Sequence, residues 1–185
     1  MTYVGSSASS RHATVIGSAS EWGAKIRAFH VAVTPVSTAW PLANNAYAIP
    51  FLIDNPVTIS EMFFLAGTTP GTTNCDLGIY REDFTLIASK GAFATTSVTD
   101  SVQPAGGGAF STPVTLVRGR YYMAMSAAAI TTTVRAGVYG NGFLRAMGCF
   151  KMATAHPLPA TFTPASMGTD TFLPSIGCAI ITNIL

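Results

Sequence analysis

From Ala46 onward the chain alternates between short apolar runs and clusters of turn-forming residues. Runs rich in β-branched and aromatic residues occupy 46–53, 57–65, 74–80, 85–88, 92–98, 110–117, 120–126, 130–135, 147–152 and 175–181, with Gly, Pro, Asn or Asp gathered between them. Many short runs at this spacing predict strands of a sandwich or barrel. Several have the two-residue period of a strand with one face inward. Cys75, Leu77 and Ile79 fall on one side, Asp76, Gly78 and Tyr80 on the other. Val114 and Leu116 flank Thr115, after which Arg118-Gly119 predicts a tight turn, with Gly119 at positive φ and 120–126 returning as a hairpin partner. Glu61 interrupts the apolar series Ile59, Met62, Phe63, Phe64, which predicts either a bulge or a strand covered on both faces. No segment after residue 45 sustains a 3.6-residue period with caps, so helix is not expected there. The reading is an all-β, antiparallel sandwich. Internal repeats of the length that marks propellers or solenoids are absent from the sequence.

Residues 1–45 follow a different pattern. Residues 5–10 are rich in Gly, Ser and Ala, and Pro35, Pro41 and Asn44-Asn45 punctuate the end of the segment. Between them, Trp22, Ile26 and Phe29 fit a helical stripe, whereas Phe29, Val31 and Val33 fit strand alternation. The residues leave that choice open. The segment holds too few apolar positions for a core of its own, so it reads as an extended N-terminal arm, a docking segment against the 46–185 sandwich or a neighbouring subunit.

Composition sharpens the picture. Of 185 residues, 49% are hydrophobic and 10% charged, against a usual charged share of about 25%. Mean hydropathy is +0.40. So few charges poorly coat a free monomer, which points to a hydroxyl-rich surface and to faces covered by other subunits. The apolar runs are far shorter than the ~20 residues of a spanning helix. The first residues lack a basic stretch followed by an apolar one, so synthesis in a cytosol is expected, with no membrane insertion. Net charge is +2 and the ten Lys and Arg are scattered, without the clustered footprint of a nucleic-acid binder.

Candidate chemistry is sparse. Cys75, Cys149 and Cys178 are far apart and form no CxxC pair, which suits free buried thiols. His12, His30 and His156 have no partner at a metal-ligand spacing, and the carboxylates of Asp54, Asp76, Asp100 and Asp170 are isolated in sequence. Neither a metal nor another cofactor is expected. A G-x-S-x-G elbow is missing, and the one adjacent acidic pair, Glu82-Asp83, sits in an apparent turn. Gly106–Gly108 and Gly140-Asn141-Gly142 lack the Lys-Ser/Thr or strand–helix context of a phosphate cradle. An enzyme is therefore not expected. Aromatic residues in loop-like contexts, Trp22, Trp40, Tyr139 and Phe143, are the candidates for contact with a glycan or partner; packing within the domain is the competing role for each.

Tyr47-Ala48-Ile49-Pro50-Phe51, Val57-Thr58-Ile59, Leu77-Gly78-Ile79-Tyr80, and Pro113-Val114-Thr115-Leu116 with Gly119, Tyr121-Tyr122 and Ala124 together resemble a β-sandwich domain of bacteriophage virion proteins. Leu158–Phe162 and the apolar run after Pro174 are similar to that domain's closing elements. The resemblance spans roughly residues 46–185 and its motifs are structural. It implies a jelly-roll-like sandwich in a tail fibre, baseplate or head-decoration protein, commonly a homotrimer, with no catalytic residues to carry over. The expected function is thus a structural, tail-associated virion component contributing to assembly and host attachment. A capsid cement or decoration protein and a glycan-binding module are the alternatives. Expected partners are further copies of the chain, other virion proteins and a host surface glycan.

Overall fold

The computed structural model describes residues 35–69, 71, 73–103 and 109–180, together with the backbone of Val15–Ile16, Lys25–Arg27 and residues 181–183. The expected arm, Trp22 included, lies largely outside the described residues.

The strands are β1 (Val15–Ile16), β2 (Lys25–Arg27), β3 (Val36–Ala39), β4 (Ala46–Ile53), β5 (Val57–Leu65), β6 (Asn74–Arg81), β7 (Leu86–Ser89), β8 (Phe93–Ala94), β9 (Val102–Gln103), β10 (Ala109–Leu116), β11 (Gly119–Ala127) and β12 (Thr133–Val138). A short helix, α1 (Asn141–Met147), precedes β13 (Phe150–Met152), β14 (Ala165–Ser166), β15 (Phe172–Pro174) and β16 (Ile176–Asn183). Sheet I runs β14-β13-β4-β11-β6-β7, with β8 also on β6. Sheet II runs β1-β2-β16-β5-β10, with β9 also on β5, and sheet III runs β15-β12-β3. All pairings are antiparallel. This is the all-β sandwich that the alternation predicts.

One apolar cluster fills the space between the sheets. Ile49, Phe51, Leu77, Ile79 and Met123 come from sheet I, Ile59, Met62, Phe64 and Leu116 from sheet II, and Val134 and Leu173 from sheet III. The interruption at Glu61 is a bulge. Inward positions step from Ile59 to Met62, and the ladder with β16 slips between Ala179 and Ile180, so β5 gains one residue and restores its alternation.

Four expectations are corrected. The 110–117 and 120–126 runs do not form a hairpin: β10 pairs with β5 in sheet II, while β11 sits between β4 and β6 in sheet I. Their short link crosses the sandwich, Gly119 begins β11, and its φ is not in the left-handed region. Alternating strands need a buried face, and here two opposed sheets supply it separately. Second, residues 141–147 form a helix; it has seven residues, no side-chain N-cap and a left-handed Gly148 at its end, so its sequence signal was minimal. Third, the 92–98 run shrinks to Phe93–Ala94. Fourth, the folded body begins before residue 46. β3 pairs with β12, and Trp40 is packed edge-on against Tyr47 and Phe172, 5.4 and 5.2 Å between centroids.

The outer face of sheet I is covered as well. A second apolar cluster joins Ala46, Ala48, Tyr80, Tyr122 and Ala124 to Ala155, Leu158 and Phe162. The last three belong to residues 153–163, an irregular strap laid across the sheet.

Candidate functional site

Two of the predicted aromatic contacts meet at one corner. β12 ends at Val138, and the chain turns through Tyr139 and Gly140 into α1. A Cβ at Gly137 would collide with the Tyr139 ring, so only glycine there lets the ring fold back over the strand. Tyr139 is held by its backbone N–H, which donates to the Thr171 carbonyl at 2.8 Å, and is buried. Phe143, 44% exposed, stacks on it with centroids 5.4 Å apart and planes 21° apart. Val138 is exposed beside this pair, and Val36, opposite Ala136 in the ladder, lies one diagonal step away. Asn141 Nδ2 and Arg145 Nη2 both donate to the Gly168 carbonyl, at 2.9 and 3.1 Å, clamping α1 to that loop. The corner presents one open ring and flanking valines, with those two polar donors already engaged inside the protein.

Trp40 does not join it. At 1% exposure it is a core residue, and its place as a candidate contact is withdrawn: the ring is enclosed by Tyr47 and Phe172. Trp22 is outside the described residues.

A second constellation was invisible in the sequence. His156 Nδ1 lies 3.0 Å from Ser126 Oγ on β11. Asp76, on β6 and 1% exposed, accepts from the Leu158 backbone N–H at 3.0 Å and from Ser89 Oγ at 2.9 Å. Tyr80 Oη donates to the Pro159 carbonyl at 2.7 Å, and the Phe162 N–H to the Phe84 carbonyl at 2.9 Å. Burial pushes the Asp76 carboxyl above its usual range, against the pull of its hydrogen bonds and of His156. Burial also lowers the His156 imidazole, which the Asp76 charge partly offsets.

Ser, His and Asp side by side invite comparison with a nucleophilic triad, and the arrangement differs on two counts. Ser126 is fully buried, and the Asp76 oxygens are occupied by Leu158 N–H and the Ser89 hydroxyl. These groups pin the strap to the sheet. The thiols of Cys75 and Cys149 are buried and pushed up to about 12 by desolvation, far from a reactive thiolate. Among the described residues, no three His, Cys, Asp or Glu side chains gather as a metal site.

Arg120 completes the outer face. Its guanidinium carbon sits 5.3 Å from the Tyr122 ring centroid, and Tyr122 stacks on Phe84 at 4.8 Å. Phe84 holds a φ of 65°, a costly conformation for an aromatic residue, which the stacking and its backbone bond to Phe162 sustain.

No family model matches the chain, and no curated protein matches it either.

Proposed function

We propose that this chain is a structural subunit of a bacteriophage virion, tail-associated in a fibre or baseplate, where it contributes to assembly and host attachment. The observation that carries the reading is the surface. Leu42, Val98, Val117, Ile130, Val138 and Phe143 are exposed apolar side chains on a protein in which one residue in ten is charged. Only two ion pairs, Arg135–Asp100 and Lys151–Asp170, occur among the described residues. An apolar surface of this kind suits burial against further copies of the chain or other subunits. The motif resemblance supplies the virion context. The docking role expected of the leading segment belongs to the same proposal.

The test is immunogold labelling of intact particles together with sedimentation of the purified protein. Gold at the tail with a symmetric oligomer in solution is the expected result. Gold over the head would replace the tail placement with the decoration reading, and absence from denatured particles would overturn both.

A further inference from the structure

The strap is held to sheet I by groups that change their hydrogen-bonding roles on titration. Ser126 is fully buried, and His156 Nδ1 is its side chain's hydrogen-bond partner among the described residues. The pair is satisfied when the hydroxyl donates and a neutral imidazole accepts at Nδ1. Adding a proton to His156 turns Nδ1 into a donor. The hydroxyl must then reverse, and its hydrogen loses its acceptor inside the protein, where an unmet donor is costly.

We propose that the 153–163 strap is an acid-released flap: protonation of His156 frees it from the outer face of sheet I and uncovers the aromatic layer beneath. From β6, Asp76 faces the strap and attracts a protonated His156, and Tyr80 bonds Pro159. From β11 come Tyr122 and Arg120, which engage each other; from β13 comes Lys151, paired with Asp170 at 2.9 Å. β7 contributes no titratable side chain, and Tyr47 of β4 lies in the inter-sheet cluster on the opposite face. The turn carrying Glu82 and Asp83 also meets the strap, where the Phe162 N–H donates to the Phe84 carbonyl. Among the described residues Asp76 is the counter-charge that acts on His156, and burial outweighs it. The folded protein binds this proton less readily than the unfolded or strap-open chain. Strap closure is therefore intact above the ordinary histidine value of 6.5 and weakens as pH falls from 6.5 toward the lowered folded value.

The proposal stands whether or not the chain belongs to a virion. Release uncovers Tyr80, Tyr122 and the alanines of β4 and β11, an apolar layer that the neutral-pH protein conceals.

Native-state hydrogen exchange at about pH 7.5 and about pH 5.5, corrected for intrinsic rates, tests it. Protection of the Ala155, Leu158 and Phe162 amides should fall severalfold between the two pH values, while β11 amides keep theirs. His156→Gln, which cannot take up the proton, should abolish the fall. Equal strap protection at both pH values in the unaltered protein would overturn the proposal without recourse to any variant. A fall of the same size in His156→Gln would overturn it too.

Discussion

Gly78 and Leu158 touch where a side chain would not fit: a Cβ on Gly78 would come within 2.9 Å of Leu158 Cδ1. The same Cβ would meet the Ala88 carbonyl oxygen at 3.0 Å and Leu86 Cδ1 at 3.1 Å. The strap and β7 together close over the bare Cα. Gly78→Ala should therefore destabilise the protein by about 1–3 kcal/mol through overpacking. Urea unfolding checks this, and an unchanged midpoint would show that the strap yields freely.

Asp76→Ala should cost more than the loss of a surface charge. It leaves the buried Leu158 N–H without its acceptor, at about 1–3 kcal/mol, and frees the half-buried Ser89 hydroxyl at a smaller cost. Because burial raises the folded pKa above 3.8, the folded state holds the Asp76 proton more tightly than the unfolded chain. This group's contribution is greatest below 3.8 and declines as pH rises through the folded value. Denaturation at about pH 4 and about pH 7 should show the larger deficit of the variant at the acid end.

Much of this architecture was legible, and particular residues show why the rest was not. The 46–53 and 57–65 runs become β4 and β5 with those same bounds, because long β-branched and aromatic series bury themselves against any facing sheet. The Cys75–Tyr80 alternation separates the two faces correctly, but nothing in it says what covers the Asp76, Gly78 and Tyr80 side. These residues lie under a strap with no period, in which Ala155, Leu158 and Phe162 follow no template. Partner choice was equally hidden. Leu116 and Tyr121 are close in sequence, and nothing local distinguishes a hairpin from a crossing between sheets. Of the aromatic candidates, Tyr139 and Phe143 could be grouped by their four-residue spacing; the enclosure of Trp40 depends on Phe172, far along the chain.

Leu116→Ala should remove about 2–5 kcal/mol of stability, since Leu116 is buried in the inter-sheet cluster at the end of β10. Equilibrium denaturation reads the loss directly. A melting curve that matches the parent would mean the site collapses around the smaller side chain.

The three cysteines should resist modification in the folded state. All are buried, and desolvation holds Cys75 and Cys149 at about 12, so thiolate is scarce near neutral pH. Ellman's reagent should react slowly in buffer and at full stoichiometry in denaturant. Rapid native labelling of any one thiol would contradict its burial.

Phe143→Asp separates stability from association. The ring is half-exposed, so its removal should change unfolding free energy by only about 0.5–1.5 kcal/mol, the worth of one aromatic pair. If the corner is covered by another subunit, the buried charge should shift the sedimentation profile strongly toward the smaller species. A variant that assembles like the parent would place the contact elsewhere.

The partnership of β5 with β16 has a consequence for synthesis. Val57 of β5 registers with Asn183 of β16, and Phe64 with Ile176. A ribosome releases β5 long before its neighbour exists, and sheet II stays without that strand until residues 176–183 have emerged. The edge of β5 that pairs with β16 must wait through the making of more than a hundred residues. Such long-range closure slows folding and exposes the nascent chain to aggregation.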